Sequence, residues 1–153
     1  MSADLATKIR LGLTHLAMVR EQMSPLIAKS SDPQVGDIET AAASAMLHSF
    51  YTEIEKMLTL IARGWDGQMP SSGRWHKELL NQMAAPTSTR PAVITSGLVD
   101  TLSEFLAFRH QFRGASIVLM RWDKLSTLVA KVDHTYLAVT HELEAFRTFL
   151  RTA

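Results

Sequence analysis

Cysteine is absent from this chain of 153 residues, so disulfides, thiolate metal sites and cysteine nucleophiles are excluded. No apolar stretch approaches the ~20 residues of a membrane span. Residues 117–120, Ile-Val-Leu-Met, form only a short run. The start of the chain lacks the basic start followed by a long apolar run of a secretory leader, so a cytoplasmic location and no membrane association are expected. A surplus of one charge sign is also missing. Sixteen Lys and Arg face fifteen Asp and Glu, a net charge of +1, which argues against a wholesale cationic coat for nucleic acid but leaves room for a local basic patch. No glycine-rich phosphate loop, zinc framework or serine hydrolase signature occurs. Strand-type alternation, internal repeats and low-complexity tracts are absent as well.

What is present is apolar residues at helical spacing almost throughout, with the few glycines and prolines between the periodic blocks. The length suits one domain spanning residues 1–153. A first helix is expected over residues 3–29, with Leu5, Ile9, Leu13, Leu16 and Met23 in one stripe and Pro25 in or ending its last turn. A second is expected to begin with Asp32 as cap and Pro33 at the first helical position, and to reach residue 64. Its stripe reads Ile38, Ala42, Met46, Phe50, Ile54, Met57 and Ile61. A short amphipathic helix follows over residues 74–84, with Trp75, Leu79 and Met83 in line. The fourth starts near Thr95 or Ser96 and carries Leu98, Leu102, Phe105 and Phe112. The fifth covers residues 123–151 on a near-3.5 repeat from Leu125 to Leu150. The fold class is therefore all-α: an antiparallel four-helix bundle with one short additional helix.

The fourth helix is unusual. Arg109, His110 and Arg113 load its late turns with cationic groups, although burying an unpaired charge is costly. Residues four apart share a face, so Arg109 stacks with Arg113 and His110 with Gly114. Two guanidiniums one turn apart make a phosphate clamp, and a histidine beside them can move a proton near neutral pH.

These residues carry a resemblance. Leu47-His48-Ser49-Phe50-Tyr51-Thr52-Glu53-Ile54-Glu55-Lys56, then the segment from Arg74 to Met83, Arg90-Pro91, Leu106-Ala107-Phe108-Arg109-His110-Gln111-Phe112-Arg113 and Trp122-Asp123-Lys124-Leu125 together resemble the HepT-like branch of the HEPN superfamily. Its members are small helical proteins with an Arg-x4–6-His motif. The resemblance implies the HEPN-like bundle fold, a homodimer and, in active members, metal-independent endoribonuclease chemistry with no cofactor. It also implies a nucleotidyltransferase antitoxin as partner of the toxin members. Arg and His of both subunits meet at the dimer axis, where histidine helps remove the ribose 2′-OH proton and arginine stabilises charge on the phosphate.

Here Arg109 matches the motif arginine, but Gly114 stands in the histidine position and Ser116 in that of a tyrosine adenylylated in some toxin pairs. Losing a general acid–base group typically costs ~10²–10⁴ in rate. The expectation is thus a degenerate HepT-like protein that binds RNA, a nucleotide phosphate or a protein partner through Arg109 and Arg113 without robust ribonuclease activity. One alternative is a ribonuclease toxin in which Arg109 works with His110, one turn from Gly114. Another is a structural bundle with no ligand. The apolar residues 117–120 are expected at the subunit interface.

Other side chains have bland readings beside the functional ones. Gly114 also suits a helix bend or cap, and Ser116 an ordinary surface or capping serine. His134 and His141 lie seven residues apart, about 10 Å along a helix, too far to share one zinc ion. His48, Tyr51 and Glu55 share a face of the second helix and suit either a cleft wall or a hydrogen-bonded structural cluster. Arg74, Trp75, His76 and Lys77 form a small basic-aromatic patch, with Trp75 also suited to the core.

Overall fold

The computed structural model describes residues 1–112 and 121–153, with backbone only for Gln111 and Phe112. The described residues are helical with no strand: α1 (Ser2–Gln22), α2 (Ser24–Ala28), α3 (Asp37–Ile61), α4 (Trp75–Ala84), α5 (Ser96–Phe112) and α6 (Trp122–Thr152). A π-helical turn, Ala62–Asp66, extends α3. Side-chain pairs fix the helix directions. Gly12 meets Met57 and His15 meets Glu53, so α1 and α3 run antiparallel. Arg147 Nε donates to the Ala6 carbonyl and Arg20 Nε to Asp133, so α1 and α6 do too. Glu142 accepts from Thr95, and Glu104 from Lys131, which sets α5 antiparallel to α6. The four main helices thus alternate in direction around a shared apolar core, with α4 as the short addition.

The stripes explain the packing. Leu5, Ile9, Leu13, Leu16 and Met23 of the first block are buried, as are Leu98, Leu102 and Phe105 of α5 and most of the α6 repeat. Where a Cβ on Gly12 would stand, the Met57 Cγ and Sδ are only 2.5 and 2.7 Å away, so glycine lets α1 and α3 approach closely at that point.

Four boundary expectations need correction. The block 3–29 is two helices, because Pro25 in the first turn of α2 supplies no N–H to continue α1. Asp32 and Pro33 do not open α3. Asp32 accepts from the Gln34 N–H in a local turn, its carbonyl accepts from Trp122 Nε1 at 2.8 Å, and α3 starts at Asp37 after Gly36. Phe50, Ile54, Met57 and Ile61 of the expected stripe are buried, but Ile38 is 87% exposed and Ala42 and Met46 are only half-buried, the early inner face running through Ala43 and Leu47 instead. The α-helical part of α3 stops at Ile61, and the chain leaves the π turn through Gly67, whose φ of +65° suits glycine. Thr95 does cap α5, its Oγ1 accepting from the Leu98 N–H at 3.2 Å.

Candidate functional site

Three helices place a charged residue on an otherwise apolar stripe, and the three meet. On α3, Glu55 occupies the inner register between Tyr51 and Leu58 and is 7% exposed. On α4, His76 shares the inner face with Leu79, Leu80 and Met83. On α5, Arg109 follows Leu102, Phe105 and Leu106 and is half-buried. The Phe50–Phe105 ring contact, centroids 5.5 Å apart, holds α3 against α5 beside the cluster.

Glu55 is the hub. Its Oε1 accepts from Arg109 Nη1 at 3.2 Å, and its Oε2 lies 2.6 Å from His76 Nδ1. A carboxylate in a low-dielectric interior needs such partners, and here both oxygens have one. Among the described residues only Nη1 of Arg109 is engaged, and the other donors of its guanidinium fork have no partner there. The Tyr51 hydroxyl is buried nearby and finds no hydrogen-bond partner among the described residues. It lies close to Glu55 without meeting hydrogen-bond geometry, and burial, reinforced by that carboxylate's charge and proximity, pushes its pKa well above the ordinary phenol range.

His110 is exposed on the adjacent face of α5, as the helical offset requires. Its ring meets the edge of His76, centroids 5.7 Å apart at 77°, and the His76 ring stacks on half-buried Trp75 at 3.6 Å. A groove of about 260 Å³ runs between α4 and α5, lined by Gly73, Arg74, His76, Lys77, Ser103, Leu106, Ala107 and His110. Chemically, the cluster offers a partly free guanidinium for an anion and an imidazole whose Nδ1 is fixed by a carboxylate.

Of the sequence candidates, Arg109 and His110 fall at this site. Arg113, Gly114, Ser116 and the apolar run 117–120 lie outside the described residues. His48 is exposed, so it does not join Tyr51 and Glu55 in a common buried cluster. His134 and His141 are exposed on α6. Among the described residues, no group of three His, Asp or Glu side chains could hold a metal ion, and no helix is long and apolar enough to cross a membrane.

Two pairings escaped sequence reasoning. The Glu55–His76 contact spans 21 residues. The available signal was a carboxylate and an imidazole on inner stripes, where only partnered polar groups are tolerated. The second is a buried cluster under the π turn. Arg90 Nε and Nη2 donate to Asp66 Oδ1 and Oδ2, both at 2.7 Å, and Arg90 also donates to the carbonyls of Gln82, Ala85 and Pro91. Gln82 Nε2 donates to Asp66 Oδ2 at 2.8 Å. Burial alone would raise the Asp66 carboxyl, but hydrogen bonds from Arg90 and Gln82 with the Arg90 charge outweigh it and hold it below the usual carboxylate range.

No curated protein and no solved structure matches the chain. A protein-family model described as HepT-like protein matches residues 42–150, from early α3 to the end of α6, and so covers Glu55, His76, Arg109 and His110. With that match over most of its length, the chain belongs to the HepT-like protein family.

Proposed function

We propose that this HepT-like chain is a degenerate member that binds RNA through Arg109 without cutting it. The observation that carries the reading is the state of Arg109: a half-buried guanidinium anchored through one nitrogen to Glu55, its other donors uncommitted among the described residues. Such a group is oriented rather than neutralised into the core, and it can offer a phosphate its remaining N–H groups. Gly114 in the motif histidine position supplies no proton-transfer group. Arg113, one helical turn on in sequence, extends the cationic face in this reading, within a homodimer of the kind the family implies. A nucleotidyltransferase partner, related to toxin–antitoxin pairing, is part of the same proposal.

A second reading has one specific observation behind it. His110 touches His76, whose Nδ1 is held by Glu55, beside Arg109. That arrangement would let His110 substitute for the missing histidine in a metal-independent ribonuclease. The experiment is RNA binding and cleavage in chelator with wild type, Arg109→Ala and His110→Ala proteins. Binding that weakens on Arg109→Ala with no cleavage supports the first reading. Chelator-resistant cleavage that needs both Arg109 and His110 selects the second.

A further inference from the structure

The groove between α4 and α5 shares only His110 with the Arg-x4–6-His segment, and its make-up is distinctive. Its floor is apolar, from Leu106, Ala107 and Gly73. Its rim carries Arg74, Lys77 and His110, with His76 buried behind them, and no Asp or Glu lines it among the described residues. Of the nearby carboxylates, Glu104 pairs with Lys131 and Glu55 holds Arg109 and His76, while Glu78, which does not line the groove, accepts from the neutral Ser72 hydroxyl. Lys77 donates only to the Ser103 hydroxyl among the described residues, and Arg74 has no ion pair there. Two exposed cations therefore face a pocket with no carboxylate among its described lining residues.

An anion-seeking rim over an apolar floor matches the two halves of a nucleotide. A phosphate is drawn to guanidinium and ammonium groups, and a base stacks on an exposed ring or an apolar surface. The volume, about 260 Å³, is slightly below the ~300 Å³ at which pockets for drug-sized ligands begin. It suits one nucleotide unit rather than a folded ligand.

We infer that this groove is a single-stranded RNA subsite: one base lies on Leu106 and Ala107 against the His110 ring, and its flanking phosphate is held by Arg74 and Lys77. The inference rests on the RNA-binding reading above and extends it from α5 to α4. Because Arg74, Lys77 and His110 are exposed, replacing them removes contacts to a ligand rather than core packing.

The test is fluorescence anisotropy of a labelled eight-nucleotide single-stranded RNA with the full chain, at pH 8 so that ordinary imidazoles are neutral. Titrations at several salt concentrations compare wild type, Arg74→Ala/Lys77→Ala, His110→Ala and Arg109→Ala, with circular dichroism as a folding control. The double variant should lose affinity on the order of tenfold and flatten the salt slope by about 0.7 per lost phosphate contact. His110→Ala should lower affinity without changing that slope, as expected for stacking. If the folded double variant binds with wild-type affinity and slope while Arg109→Ala is weakened, the subsite is refuted and the broader reading stands. If the double variant is weakened while Arg109→Ala binds normally, the subsite stands and the role given to Arg109 fails. No RNA binding by the wild type overturns both.

Discussion

Two buried carboxylates, each paired with an arginine, behave differently in this molecule. Asp66 and Arg90 form a closed unit. Every nitrogen of the Arg90 guanidinium donates to Asp66 or a backbone carbonyl, and the Arg90 side chain is fully buried. Glu55 and Arg109 form an open one. Both carboxylate oxygens have a partner in Arg109 or His76, but among the described residues the guanidinium uses one nitrogen, and it remains partly accessible. The first arrangement leaves nothing for a ligand and ties the π turn to α4 and the loop after it. The second holds a cation in place with donors to spare among the described residues. Side-chain closure, rather than the presence of an ion pair, separates scaffold from candidate site.

The largest effect should come from breaking the closed unit. Arg90→Ala leaves the buried Asp66 charge with only the neutral Gln82 amide as partner, which should cost about 3–5 kcal/mol. For a chain of this size that lowers Tm by roughly 6–20 °C in a thermal melt. Arg109→Ala should cost less, about 1.5 kcal/mol, because Glu55 keeps His76 and the site is partly solvated. Its main consequence should instead be weaker RNA binding. If the two substitutions destabilise equally in urea denaturation, the distinction between closed and open pairs fails.

Acid provides a finer probe of the same contrast. The Asp66 carboxyl has a folded pKa below its ordinary value, so its stabilising contribution is complete above the unfolded pKa, ~3.9. That contribution is lost as pH falls through the lower folded value. Unfolding free energy should therefore decline below about pH 4, and Asp66→Asn should reduce the steepness of that decline. The smallest effect belongs to Tyr51→Phe. Its hydroxyl is buried without a partner among the described residues, so removing it should leave Tm unchanged or slightly raised. A clear loss of stability would mean the hydroxyl has a role beyond filling space.

Much of the helical framework was legible in the sequence because its apolar period is strong. The described part of the α5 stripe (Leu98, Leu102 and Phe105), most of the α6 stripe and the Thr95 cap follow from spacing and capping chemistry alone, the Phe112 side chain lying outside the described residues. The Asp32–Pro33 start signal misled because Asp32 uses its carboxylate in a local turn while its carbonyl serves Trp122 on α6. Ile38 misled because the true inner face is rotated toward Ala43 and Leu47. At the site, Arg109 and His110 were visible as cationic residues on an apolar helix. Their partners were not, since a contact between Glu55 and His76 depends on how α3 and α4 cross, which no local spacing encodes. The Asp66–Arg90 unit was hidden for the same reason, across 24 residues.

The account turns on binding without turnover, and one assay addresses it most directly. Labelled RNA is incubated in chelator with purified wild type and with Gly114→His, and intact and cleaved fractions are measured alongside bound RNA. The account predicts that wild type retains RNA with cleavage at background, and that restoring an imidazole at position 114 raises cleavage by roughly 10²-fold or more. Efficient chelator-resistant cleavage by the wild type, lost on His110→Ala, would contradict it.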